Sequence, residues 1–123
     1  MGYAVVDVET TGLSPRNDRI VEIGVVVLDD SGEAEDEWSS LVNPGRSMRA
    51  TFIHGLTDAD VTDAPVLADL LPRIRATFAG RALVAHNASF DVGFLNAAYR
   101  HAGVDFAIPR APIQHGESYL QND

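Results

Sequence analysis

The hydrophobic period of this chain changes near residue 64, and that change limits the folds open to it. Before it stand three short runs separated by turn residues. Residues 3–8 (YAVVDV) and 19–28 (RIVEIGVVVL) read as buried β-branched strands, and residues 33–42 (EAEDEWSSLV) as a third strand with an exposed polar face. Thr10-Thr11-Gly12-Leu13-Ser14-Pro15 and Asp29-Asp30-Ser31-Gly32 break them with turn chemistry, so the three are expected to form an antiparallel meander. After the change, Val66, Leu67, Leu70, Leu71, Ile74 and Phe78 recur at helical spacing, with Pro65 suited to a first helical position and Gly80 to a stop. Pro72 sits inside that pattern and predicts a kink or broken turn, because it removes a backbone donor. Residues 82–85 (ALVA) suit a buried strand, His86-Asn87-Ala88-Ser89 makes a polar junction, and Phe90, Phe94, Leu95 and Ala98 mark a second helix ending near Gly103. The order β-β-β-α-β-α predicts an α/β fold: a mixed sheet, the meander plus a parallel strand, flanked by helices.

Beyond residue 106 the pattern fades. Pro109, Pro112 and Gly116 interrupt any period, and an irregular tail is expected over 107–123. A chain of 123 residues otherwise suffices for one domain with its own core. It holds no cysteine, which excludes disulfides and thiolate metal sites and is compatible with the cytoplasmic location expected for it. No apolar run approaches the about 20 residues of a membrane helix, and no signal-like leader is present, so no membrane partner is expected.

The formal charge is −9, and all nine basic residues are Arg. Such acidity argues against a broad phosphate-neutralising surface. It leaves room for a nucleic-acid enzyme, because divalent cations held by carboxylates invert the local sign. Arg16, Arg46, Arg49 and Arg110 fall in expected loops, where solvated Arg is the ordinary case.

Two stretches carry unusual carboxylates. In VVDVETTGLSP, Asp7 and Glu9 lie two apart in a strand and project to the same face. Their repulsion is met either by water, as at a solvated strand edge, or by a divalent cation of the hard type, Mg²⁺ or Mn²⁺. In LVAHNASFDVGFL, Asp91 falls in the first turn of the second helix, where it complements the helix dipole. It also shares a face with Leu95 and Ala98, and a carboxylate leaning toward the core wants a partner.

Taken together, VVDVETTGL and LVAHNASFDVGFL resemble the first and second motifs of the DEDD superfamily of 3′ to 5′ exonucleases. FIHGLTDADV, at residues 52–61, resembles a segment of the proofreading epsilon subunit of bacterial replicative polymerases and its relatives. The resemblance spans about residues 3–106 and implies a ribonuclease-H-like exonuclease domain over 1–106. It implies two divalent ions, Mg²⁺ or Mn²⁺, with Asp7, Glu9 and Asp91 as catalytic ligands, and hydrolysis at the 3′ end of single-stranded DNA or RNA. Thr10, Thr11, Gly12, His54 and Asn87 would lie on the substrate side, and a DNA polymerase subunit is the implied protein partner. Bland roles stand beside these: a strand-ending turn for residues 10–12, a structural histidine at 54, a helix cap at Asn87, and core for Phe90 and Phe94.

The sequence departs from the family at the third motif, a general-base His or Tyr followed by a fourth carboxylate. His101 is followed five residues later by Phe106, and His115 by Leu120, so neither gives H-x-x-x-x-D. Tyr119 and Asp123 fit the Y-x-x-x-D form, a loose two-residue match that chance explains. A missing base costs about 10²–10⁴-fold, so weak or absent activity is expected of these 123 residues, and a non-catalytic docking module is the alternative.

Overall fold

The strand Tyr3–Thr10 (β1) is the axis of the molecule. In the computed structural model, which describes residues 2–45, 56–104, 113–114 and 117–122, it has a paired neighbour on each side. Ile20–Leu28 (β2) runs antiparallel to it, and Ala34–Leu41 (β3) antiparallel to β2, which gives the meander expected from the three runs. On the other side Arg81–Ala85 (β4) lies parallel to β1, with Tyr3 opposite Ala82 and Val5 opposite Val84. The mixed sheet follows from the sequence: meander strands need only short turns, whereas a parallel neighbour needs a helical crossover.

That crossover is Leu67–Phe78 (α2), preceded by the single turn Asp58–Val61 (α1). Thr57 and Asp60 cap α1 reciprocally: the Thr57 N–H donates to the Asp60 carboxylate at 2.8 Å. α2 continues through Pro72 without a break. The ring lies on the exposed side, while Leu71, Ile74 and Phe78 are buried on the other, so packing holds the helix where one backbone bond is lost. Gly80, at φ 72°, supplies the left-handed residue that turns the chain out of α2 into β4. Ala88–His101 (α3) follows β4.

One face of the sheet carries the core. Ala4, Val6 and Val8 of β1 join Ile23, Val25 and Val27 of β2 and Leu83 of β4. Phe78 and Ile74 of α2 and Val92, Leu95 and Tyr99 of α3 pack into the same cluster. Trp38 of β3 ties the far edge in, donating its ring N–H to the Thr77 hydroxyl at 3.2 Å beneath the Arg73 guanidinium, which stands 4.3 Å over the ring. The alternation of β1 therefore sends Val6 and Val8 into the core and Asp7 and Glu9 to the opposite face.

The region after residue 106 differs from the irregular tail expected. Ile113–Gln114 (β5) and Glu117–Asn122 (β6) form a hairpin, and β6 pairs antiparallel with β4, completing the order β3-β2-β1-β4-β6-β5. The physical reason is the free edge of β4, whose backbone groups are satisfied by another strand whatever its side-chain pattern.

Candidate active site

Asp7 and Glu9 stand at the C-terminal end of the central strand, Asp7 exposed and Glu9 half-buried. Asp7 faces Gly24 across the pair with β2, and Glu9 faces Glu22, a like-charge pairing that weakens the sheet locally. The register shifts between Glu9 and Thr10, so the strand bends just after the acidic pair, a usual place for a functional irregularity.

Asp91 approaches from α3. Asn87 caps that helix, its side-chain oxygen accepting the Phe90 N–H at 3.3 Å, and Asp91 lies one turn in. The side chain is 6% exposed. Burial, and then the negative charges of Asp7 and Glu9, push its carboxyl up to about 7 from an ordinary 3.8. The two stretches of sequence that carry these acids, more than eighty residues apart, are thus brought within electrostatic reach of one another.

The arrangement is not a closed metal cage. Among the described residues, no group of three or more His, Cys, Asp or Glu side chains is drawn together tightly enough to hold an ion as it stands. The donor chemistry nonetheless suits a hard divalent cation: three carboxylates, no softer ligand, and one of them buried at an energetic cost that positive charge would relieve.

The turn after Glu9 is built from within. The Thr10 hydroxyl donates to the Gly12 carbonyl at 2.6 Å, and the Thr11 hydroxyl donates to Asp18 at 3.1 Å while accepting the Arg19 N–H at 3.0 Å. Both threonines are buried and their hydroxyls are engaged, so this turn offers a ligand backbone rather than side-chain hydroxyls. At its tip Leu13 is 81% exposed. Asn87 serves as a cap and is exposed, and Phe94 is buried in the core with the Phe90 ring 4.9 Å away. His54 lies outside the described residues, as do Arg46, Arg49 and Arg110.

Two features of this turn escaped the reading of the sequence. Leu13 could have been noticed as a lone large apolar residue among turn formers. Asp18 gives no such signal, because its partners are set by how the loop closes.

Comparison with known proteins agrees with this geometry. The RNase_T family model, described as an exonuclease family, matches residues 4–116. The PolC-type DNA polymerase III of Bacillus subtilis is 46% identical over 100 residues, covering 80% of this chain and 7% of that protein. Its Bacillus cereus counterpart is 41% identical over 105 residues, covering 84% of this chain and 7% of that protein. The chain therefore spans only a small part of these relatives. Among solved structures, E. coli exonuclease I in complex with a dT13 oligonucleotide shares the fold with a TM-score of 0.76 at 19% identity, over 84% of this chain and 24% of that one. A sheet that presents ordered acidic motifs and a family match across most of its length lead to one conclusion: the chain belongs to the RNase_T exonuclease family.

Proposed function

We propose that this chain is a 3′ to 5′ exonuclease domain that hydrolyses the terminal phosphodiester of single-stranded DNA with the help of Mg²⁺ or Mn²⁺ held by Asp7, Glu9 and Asp91. The observation that carries the proposal is the buried Asp91 carboxyl, held near pKa 7 by its own burial and by the charges of Asp7 and Glu9. A like-charged trio of this kind is costly to the fold alone and is what a cation site requires. The dT13 bound in the exonuclease I relative supports single-stranded DNA as the substrate class.

The chain's own residues divide the work. Asp7 and Glu9, on the open face of β1, present oxygens outward, and Asp91 closes the site from the helix side. Near neutral pH without metal, Asp91 holds a proton on its carboxylate for much of the time, and that proton leaves when positive charge arrives. Among the described residues, the backbone N–H groups of Gly12 and Leu13 have no hydrogen-bond partner and can meet a phosphate or sugar oxygen; Leu13 offers apolar contact to a terminal base. Bound divalent ions supply polarisation of the phosphodiester and of the attacking water. Hydrolysis breaks the bond from phosphorus to the 3′ oxygen and leaves a nucleoside 5′-monophosphate and a new 3′ hydroxyl.

The test is trimming of a 3′-labelled single-stranded oligonucleotide in Mn²⁺, with a ribonucleotide version alongside. Slow, strictly metal-dependent release of mononucleotides is expected, reduced about 10²-fold or more in Asp7→Ala. Trimming that persists unchanged in Asp7→Ala would refute the proposal, and preference for the ribonucleotide strand would move the substrate to RNA. A PolC-type polymerase is the protein context that the bacterial relatives suggest.

A further inference from the structure

Asp18 belongs to neither acidic motif, yet it organises the turn that follows Glu9. One of its carboxylate oxygens accepts the Thr11 hydroxyl at 3.1 Å, and the other accepts the Ser14 N–H at 3.0 Å. The Asp18 N–H itself donates to the Ser14 carbonyl at 2.7 Å, and Thr11 is doubly joined to Arg19: its N–H donates to the Arg19 carbonyl at 2.8 Å and its hydroxyl accepts the Arg19 N–H. The loop closes so tightly on the carboxylate that a Cβ at Gly12 would stand 2.5 Å from an Asp18 oxygen.

The outer part of the same loop rests on the other half of the site. Pro15 lies against Gly93 of α3, where a Cβ would be 3.3 Å from the Pro15 Cγ. Gly93 is two residues beyond Asp91, so the loop touches the helix within the turn that carries that carboxylate. The loop between β1 and β2 is thereby held at one end by Asp18 and pressed at the other against α3.

We infer that Asp18 is a positioning residue: together with the Pro15–Gly93 contact it forms a brace that sets the spacing between Asp7 and Glu9 on β1 and Asp91 on α3. The inference rests on the proposed reading of those three as an ion site. Both oxygens of Asp18 accept, one from a hydroxyl and one from a backbone N–H, and alanine at this position removes both arms at once. At Gly93 the logic is different. Alanine favours a helix over glycine, so Gly93→Ala should hold or raise stability while its methyl displaces Pro15 by a few tenths of an ångström.

Isothermal titration with Mn²⁺ and amide hydrogen exchange in EDTA, on the full chain, test the brace. Asp18→Ala and Gly93→Ala are each expected to weaken Mn²⁺ binding about tenfold or more, as loss of a supporting partner commonly does. Exchange should quicken both in the turn at 11–14 and in the first turns of α3, with β2 unchanged; Glu35→Gln, a charge change on an exposed strand, should alter neither readout. Wild-type affinity in both variants would overturn the inference, as would faster exchange confined to the turn. If Asp18→Ala fails to fold, Gly93→Ala decides alone, because a purely structural role predicts no weakening in a variant of equal or greater stability. If the wild-type chain binds no Mn²⁺, it is the ion-site reading that fails, and the exchange pattern still upholds or overturns the brace.

Discussion

Asp91→Asn is expected to make the metal-free protein more stable at pH 8, by on the order of 1–2 kcal/mol, while removing its response to Mn²⁺. The sign follows from where the proton sits. In the unfolded chain the carboxyl ionises near 3.8, and in the folded protein burial and the neighbouring charges of Asp7 and Glu9 hold it up to about 7. Between those values the native state carries a proton that the unfolded state has lost. This contribution is fully present below about pH 4, declines as pH rises toward 7, and is gone above it, where the native protein must bear a buried negative charge beside those of Asp7 and Glu9. Asparagine removes that charge at every pH. The magnitude is kept well below full conversion of the pKa displacement, because the exposed Asp7 is screened by water. Urea unfolding in EDTA at pH 5 and pH 8 measures it: the wild type should lose stability between the two while Asp91→Asn changes less. A variant less stable than wild type at pH 8 would show that the carboxylate is not strained.

Leu95→Ala should cost about 2–5 kcal/mol. Leu95 is fully buried one helical turn beyond Asp91, in the cluster that seats α3 on β1 and β4. Truncation leaves a cavity under the segment that aims the carboxylate, so the urea midpoint should fall and Mn²⁺ should restore less stability than it does in the wild type. Leu70, only half-buried on α2, is the comparison: Leu70→Ala should lose clearly less. Equal losses at the two positions would mean that α3 is not seated by Leu95.

The strands and helices that carry the acids were legible because their periodicity reports burial directly. Alternation placed Asp7 and Glu9 on one face, and the 3.6-residue period placed Asp91 toward Leu95 and the core. The electrostatic union of the three was legible only through family resemblance, since no local pattern ties residue 9 to residue 91. Asp18 was not legible at all: its importance comes from hydrogen bonds made when the loop closes, and an Asp in a turn looks the same whether solvated or engaged. The last strand was missed for the opposite reason. β6 has little apolar alternation of its own and is recruited by backbone groups on β4. At Pro72 local propensity allowed a broken turn, and the buried side of α2 keeps the helix continuous instead.

The outermost strand on the other side of the sheet carries a further consequence. β3 ends the strand order, and Glu35, Asp36 and Glu37 stand in succession along it, all exposed. A second copy adding strand to strand there would set carboxylate against carboxylate, so at low salt this edge refuses its own kind. At high salt, where the Debye length shrinks to about 3 Å, that refusal fades and the outward backbone of β3 becomes a template for assembly. Light scattering should therefore rise as salt is added, and should already be raised at low salt when Glu35→Gln, Asp36→Asn and Glu37→Gln are combined; scattering unchanged by salt and by these substitutions would show that charge is not what guards the edge.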